Sequence, residues 1–315
     1  MIIVFGSLNM DMSVRLEKLP QAGETILSSD YDLNPGGKGG NQALAAARAG
    51  AKVAVVGKVG DDNYGRSITE ALRRDGVIVS GVAKSDDLPT GTALTARDAT
   101  TGQKQVIILS GANVEAAADQ IPDEILVPGN VLLMQMELPV EETLSILERA
   151  KQRGCTTILN MAPALDIPKR AIGNLDYLIV NSIEVKQIAE KLGLSIDSNA
   201  IKIAHNLANE GQLTCLVTLG KSGAVAVTKD NQAWGVPTLN VDQSLVVDVN
   251  GAGDAYCGTF AAAIHEGLPL PEAMRRATVA ATLCCMKQGA MPSLPYLDDI
   301  DSKLPDLPQA QSVQI

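Results

Sequence analysis

The chain has 315 residues, is 46% hydrophobic and carries 26 Lys and Arg against 36 Asp and Glu, a formal net charge of −10. That length and apolar content suit a globule with a full core, as one large α/β domain or two smaller ones, and the acidic balance argues against nucleic acid or an anionic membrane as the main partner. No stretch approaches the about 18 consecutive apolar residues of a membrane-crossing helix, and the apolar start, residues 1–5, lacks the charged region of a signal peptide, so a cytoplasmic protein is expected.

Runs of β-branched residues alternate with amphipathic Ala- and Leu-rich stretches. In chain order the pattern predicts strands over Ile2–Phe5, Val53–Val56, Val131–Met134, Thr156–Leu159, Tyr177–Val180 and Leu216–Leu219. Helices are predicted between them over Asn41–Ala49, Tyr64–Arg74, Val140–Arg153, Ile183–Leu192 and Asn199–Asn209. This alternation predicts a mostly parallel sheet covered by helices on both faces, with ligands at the carboxyl ends of the strands. Two stretches break the pattern. Residues 12 to about 34 alternate loosely without a helical period, and Thr92–Arg97 and Lys104–Leu109 flank Ala99-Thr-Thr-Gly102 as a hairpin would. The segments 12–34 and 90–110 therefore read as a small separate sheet, either a lid over the site or an ordinary surface hairpin. Residues 1–304 form the expected single α/β domain, and the Pro- and Gln-rich segment 305–315 is expected to be a flexible tail.

The five cysteines, Cys155, Cys215, Cys257, Cys284 and Cys285, show no C-x-x-C spacing and read as buried reduced thiols rather than metal or redox groups. Both histidines, His205 and His265, fall in helical stretches, which disfavours a His-based triad or a His-rich zinc site.

Two Gly-rich strings carry the chemistry. In Asp248-Val-Asn-Gly-Ala-Gly-Asp254 the small residues Gly251, Ala252 and Gly253 sit where a strand would pass into the apolar helical run Tyr256–Ile264, so backbone N–H groups converge there as an anion hole. Asp254, in the first helical turn, is either a helix cap or a base for a substrate hydroxyl. The second string, Gly36-Gly-Lys-Gly-Gly-Asn41, opens directly into a helix and again offers close backbone approach and N–H donors. Neither a Walker A loop nor a G-x-G-x-x-G string after the first strand is present, which disfavours nicotinamide dinucleotides.

The strings Gly6-Ser-Leu-Asn-Met-Asp11, Gly36-Gly-Lys-Gly-Gly-Asn-Gln-Ala43, Asn181-Ser-Ile-Glu184, Thr218-Leu-Gly-Lys-Ser-Gly223 and Gly251-Ala-Gly-Asp254 follow one another in an order and spacing that resembles the ribokinase/phosphofructokinase-B carbohydrate kinase family. The resemblance runs from Ile3 to about Pro295 and is strongest to the ribokinase branch. It implies a ribokinase-like three-layer α/β sandwich with a mostly parallel central sheet and a small β-sheet lid. It also implies ATP-dependent phosphorylation of the 5-hydroxyl of D-ribose, with Mg²⁺ and K⁺ as cofactors and a homodimer formed through the lids.

Carried over residue by residue, the resemblance makes Asp254 the base and Gly251, Ala252 and Gly253 the donors to charge growing on the phosphate. Asn9, Asp11, Gly37, Lys38, Gly39, Gly40, Asn41 and Glu137 become the ribose-binding set; alone, Asn9 and Asp11 would read equally as a turn after a strand. Asn181 and Glu184 become the element that organises Mg²⁺, although the same pair also reads as a capping box. Thr218, Gly220, Lys221 and Gly223 would line the ATP phosphates and ribose, and Thr278 would contact adenine. Asp248, Asn250, Cys284, Lys287, Gly289 and Ser293 would surround K⁺. Val249 stands where the family has Thr, which puts cation dependence in question more than reaction type. Two alternatives remain. One is a related kinase of a nucleoside, fructose or a sugar phosphate; a sugar phosphate is disfavoured because Lys38 is the only cation within 36–41. The other is a nucleotide-binding regulatory protein that keeps the fold without turnover.

Overall fold

The computed structural model describes residues 1–28, 30–101 and 103–315. Ser29, within the first expected lid segment, and Gly102, the last residue of the expected hairpin turn, lie outside the described residues. The chain opens with β1 (Ile2–Phe5), β2 (Asn9–Leu16), β3 (Tyr31–Gly36), α1 (Lys38–Arg48), β4 (Val53–Gly60), α2 (Asn63–Arg74), β5 (Ile78–Ser85), β6 (Gly91–Asp98) and β7 (Lys104–Leu109). It continues through β8 (Val131–Gln135), α3 (Val140–Gln152), β9 (Thr156–Asn160), α4 (Lys169–Ile172), β10 (Tyr177–Asn181), α5 (Glu184–Lys191), α6 (Ala200–Gly211) and β11 (Thr214–Thr218). It closes with β12 (Ala224–Val227), β13 (Ala233–Val236), α7 (Ala252–Glu266), α8 (Leu270–Cys284), α9 (Leu297–Lys303) and β14 (Gln311–Ser312).

A ten-stranded sheet has the order β14-β13-β12-β11-β10-β9-β8-β1-β4-β5. From β5 to β11 the pairings are parallel, and β12 to β14 extend one edge antiparallel. Successive residues of β1 point to opposite faces, as strand geometry requires. Ile2 and Val4 join a core made with α1, α2, α7 and α8, while Ile3 and Phe5 join a second core made with α3, α5 and α6. Two cores on one sheet make the three layers. α7 lies between α1 and α8 and is buried from Asp254 to Ala263, which explains why its Ala-rich sequence lacks a polar face.

The second sheet has the order β3-β2-β6-β7, with β2 and β6 parallel and the outer pairs antiparallel. It is made from the two segments that broke the alternation, and its residues line the cavity described below. α1 begins at Lys38, ahead of the expected Asn41, because tertiary contact overrides the poor helix propensity of Gly39 and Gly40. A Cβ on Gly39 would lie 2.6 Å from Gly6 Cα, so the helix start is pressed against the end of β1. The expected flexible tail is a further difference. Leu307 is buried, Gln311–Ser312 pair with β13, and the Arg275 guanidinium donates to Leu304 O, Leu307 O and Pro308 O at 2.9, 2.8 and 3.1 Å. A buried guanidinium needs acceptors, and tail carbonyls supply them.

Candidate active site

β1 is flanked by β8 on one side and β4 on the other, so the direction of strand addition reverses there, and a crevice opens beyond the carboxyl ends. Ser7, just after β1, donates to Glu137 Oε2, just after β8, at 2.6 Å across that crevice. A cavity of about 1200 Å³ extends from it to the lid and holds Asn9, Asp11, Gly37, Lys38, Asn41, Glu137, Gly251 and Asp254. Gly37 adopts φ +84°, which turns the chain from β3 into α1. Gly39 and Gly40, also expected on the sugar side, do not line the cavity. Gly39 abuts Gly6, and the Gly40 N–H is committed to Ser7 O at 3.1 Å. Asn9 is fixed from outside the predicted set: its Oδ1 accepts from buried Asn113 Nδ2 at 2.7 Å, while Asn113 Oδ1 accepts from the Leu8 N–H at 2.9 Å.

Asp254 stands in the first turn of α7 and is only 8% exposed. Asn41 Nδ2 donates to its Oδ2 and Gln42 Nε2 to its Oδ1, both at 2.9 Å. Gln42 Nε2 also reaches Asn160 Oδ1 at 3.0 Å, and Gln42 Oε1 accepts from Gln135 Nε2 at 2.8 Å. The carboxylate is therefore held by two amides from α1, of which that of Gln42 is itself anchored at the ends of β8 and β9. Gln42, Gln135 and Asn160 were not among the expected site residues. Gly251 at φ +81° forms the turn before α7; a Cβ there would come 2.9 Å from Ala290 Cα. Of the first N–H groups of α7, that of Ala252 donates at long range to Val249 O, 3.4 Å away, while those of Gly253 and Asp254 have no partner within the helix by construction, and a Cβ on Gly253 would meet nothing within 4 Å. Asn41 Oδ1 is buried without a hydrogen-bond partner among the described residues, an acceptor suited to a ligand hydroxyl.

Burial, with Asp254 and Glu137 nearby, pushes the Asp11 carboxyl up to about 7. Burial acts to lower the Lys38 ammonium, but Asp254, Glu137 and Glu184 outweigh it and hold the group above its ordinary value. Lys38 thus stays cationic between the acceptor-side carboxylates and Glu184. The lid adds Arg15, Arg97 and Lys104 to the cavity, so Lys38, the only cation within 36–41, is not the only one lining it. β2 and β6 place Arg15 and Arg97 side by side, and β6 and β7 do the same for Arg97 and Lys104.

The residues expected on the nucleotide side lie along the same sheet edge. Asn181 and Thr218 are register partners at the ends of β10 and β11. Asn181 Oδ1 accepts from the Ile183 and Glu184 N–H groups at 2.8 and 2.9 Å, and Glu184 Oε2 accepts from the Asn181 N–H at 2.8 Å. This is the reciprocal cap foreseen in the sequence. Burial raises the Glu184 carboxyl, against the pull of that N–H and of Lys38. Gly220, Lys221 and Gly223 form a tight turn closed by Leu219 N–H to Gly223 O at 2.8 Å. Thr278 does not line the cavity; it is 3% exposed in α8 and its hydroxyl donates to Met274 O at 2.8 Å.

The expected cation ligands gather beside Gly251. Asp248 Oδ2 accepts from the Gly289 N–H at 3.2 Å, Cys284 Sγ lies 3.6 Å from Asn250 O, and Ser293 Oγ lies 2.9 Å from Cys284 Sγ and 2.6 Å from Gly289 O. Burial pushes the Cys284 thiol up to about 12, so it is a neutral neighbour. Lys287 has an exposed side chain and joins only through its backbone, its N–H donating to Cys284 O at 3.3 Å. No group of three or more His, Cys, Asp or Glu residues fit to hold a metal ion is found among the described residues. No described helix is long and apolar enough to cross a membrane.

The family model described as pfkB family carbohydrate kinase matches residues 1–297. The chain belongs to that family. Among pfkB-family relatives, the ribokinase of Bacillus subtilis is 32% identical over 305 residues, covering 96% of this chain and 99% of the relative. The ribokinase structure from Thermotoga maritima superposes with a TM-score of 0.88 at 32% identity, covering 96% of this chain and 99% of that one. Arabidopsis thaliana ribokinase, complexed with ribose and ATP, gives 0.86 at 30% identity, with 96% and 98% covered. A Methanocaldococcus jannaschii nucleoside kinase gives 0.80 at 21% identity, a likeness of fold alone. The pfkB-family fold is the one described above, and the protein is a phosphotransferase of this family.

Proposed function

We propose that the protein is an ATP-dependent ribokinase that converts D-ribose to D-ribose 5-phosphate, with release of ADP. The observation that carries the reading is the buried Asp254, held by Asn41 and Gln42 at the start of α7 and open to a cavity lined by Asn9, Asp11 and Glu137. In this reading Asp254 takes the proton of the 5-hydroxyl as its oxygen bonds to the γ-phosphorus and the bond to the ADP oxygen breaks. The amide clamp leaves the carboxylate no rotational freedom to lose, and the N–H groups of Gly251, Ala252 and Gly253 meet the charge on the transferring group. Asn9, Asp11, Asn41 and Glu137 bind the ring hydroxyls, and Asn181, Thr218, Gly220, Lys221 and Gly223 bind the nucleotide.

Mg²⁺ has a defined place in this reading, and K⁺ a set of oxygens. Glu184, with one oxygen taken by the Asn181 N–H, suits a Mg²⁺ ion that keeps most of its water and offsets phosphate charge when bound. The oxygens of Asn250, Gly289 and Ser293 form the K⁺ set that the resemblance implies, beside an Asp248 carboxylate that already has the Arg97 guanidinium 2.8 Å away. The apolar row Val106, Ile107, Ile108 and Leu109 on edge strand β7 is exposed and supports a homodimer through the lids. Five free cysteines and the use of ATP support a cytoplasmic location.

Asp254→Asn tests the reading: turnover should fall about a thousandfold while ribose binding persists. Near-normal turnover in that variant would remove Asp254 as the base.

A further inference from the structure

We infer that Arg97, carried by the lid, is a built-in counter-cation for the loop leading into the anion hole, doing at Asp248 what a monovalent ion would otherwise do. The inference rests on the cation loop proposed above. Asp248 is the one carboxylate in that loop's ligand set and is only 7% exposed. Its Oδ1 lies 2.8 Å from Arg97 Nη2 and accepts the Asn250 N–H at 3.1 Å, and its Oδ2 accepts the Gly289 N–H at 3.2 Å. A buried carboxylate without a cation is costly, and a guanidinium, always charged and weakly hydrated, suits the pairing. With Arg97 in place the loop is charge-balanced, and the carbonyls of Asn250 and Gly289 face the neutral thiol of Cys284 and the hydroxyl of Ser293.

Arg97 comes from β6, not from the body that holds Asp248, so this balance depends on where the lid sits. Lys104 Nζ reaches only the Asn250 side chain, at 3.4 Å, and Gln288 Nε2 meets the lid at Asp32 Oδ2, also at 3.4 Å. Arg97 alone among these contacts touches the buried carboxylate. Lifting the lid strips Asp248 of its partner and loosens the segment that shapes Gly251 to Asp254. Arg97 is a positioning residue: it acts on the reaction through the loop.

The test compares wild type, Arg97→Gln and Arg97→Lys in KCl and in tetramethylammonium chloride at equal ionic strength, reading the Tm of the ligand-free protein and phosphotransfer to ribose. The wild type should show no K⁺-specific Tm shift and less than about a twofold K⁺ effect on turnover, whereas Arg97→Gln should lose Tm without K⁺, regain it with K⁺, and depend on K⁺ by about tenfold. Arg97→Lys should behave as wild type. A wild type that responds to K⁺ as strongly as Arg97→Gln overturns the inference. If ribose turns over in none of the proteins, the ribokinase reading fails, and the Tm arm still decides the role of Arg97. If Arg97→Gln does not fold, a K⁺-dependent Tm in wild type and Arg97→Lys overturns the inference and a K⁺-independent one supports it.

Discussion

Asp254 is oriented before any ligand arrives, and the residue that orients it most firmly is Gln42. Its amide serves Asp254, Asn160 and Gln135 together, so Gln42→Leu removes one donor to the Asp254 carboxylate and leaves two buried amides short of a partner. Turnover should drop about 10- to 100-fold, with a stability loss of about 2 kcal/mol, measured by steady-state kinetics and by urea unfolding. The string Gly-Gly-Lys-Gly-Gly-Asn-Gln pointed to this helix start, but Gln42 could not be singled out because its partners lie at the ends of β8 and β9. Only the fold brings them together. Asp11 permits a second prediction. With its carboxyl raised to about 7, the sugar-free protein holds a proton there under mildly acidic conditions that a bound hydroxyl donor would displace. Ribose affinity should therefore rise as pH increases through about 7, and Asp11→Asn should flatten the profile in calorimetric titrations. The stability effect has the opposite sign. The folded pKa lies above the unfolded one, so the contribution present in acid is lost as pH rises through the folded value, and Asp11→Asn should raise Tm more in alkaline buffer than in acid.

At the scale of elements, the α1–α7 contact brings the proposed base to its clamp, since Asn41 and Gln42 ride on one helix and Asp254 on the other. Gly258 lets them meet: a Cβ there would lie 2.6 Å from Ala45 Cβ and 2.9 Å from Ala46 N. Gly258→Ala should cost about 1–3 kcal/mol and lower kcat by parting the helices, both checked on one purified variant. Hydrophobic period identified the parallel strands and their helices because burial on two faces leaves so clear a pattern. It did not reveal that Arg15, Arg97 and Lys104 form one row. Those residues belong to three lid strands, and strand register, invisible in composition, sets them side by side. The start of α1 lies ahead of the expected one for a related reason: glycines that look like helix breakers are there for close packing, Gly39 on Gly6 and Gly40 on Met291 and Leu8.

For the whole molecule, the carboxyl ends of the parallel strands carry the cavity and the proposed anion hole and nucleotide loop, and the tail pairs with β13 at one edge of the sheet. A Pro- and Gln-rich composition pointed to disorder, but Leu307 and the carbonyl acceptors of Arg275 tie the segment down. Deleting 305–315 should cost about 3 kcal/mol and lower Tm in a thermal scan while leaving the cavity residues in place. Exposed apolar side chains on β7 should make Ile107→Lys shift the protein toward monomer in light scattering. The central claim is the acceptor. The most direct measurement is ATP-coupled turnover, in Mg²⁺, over a panel of D-ribose, fructose, adenosine and fructose 6-phosphate. D-ribose should have the highest kcat/KM and yield the 5-phosphate; a higher value for another acceptor, or no turnover on any, would contradict the ribokinase reading.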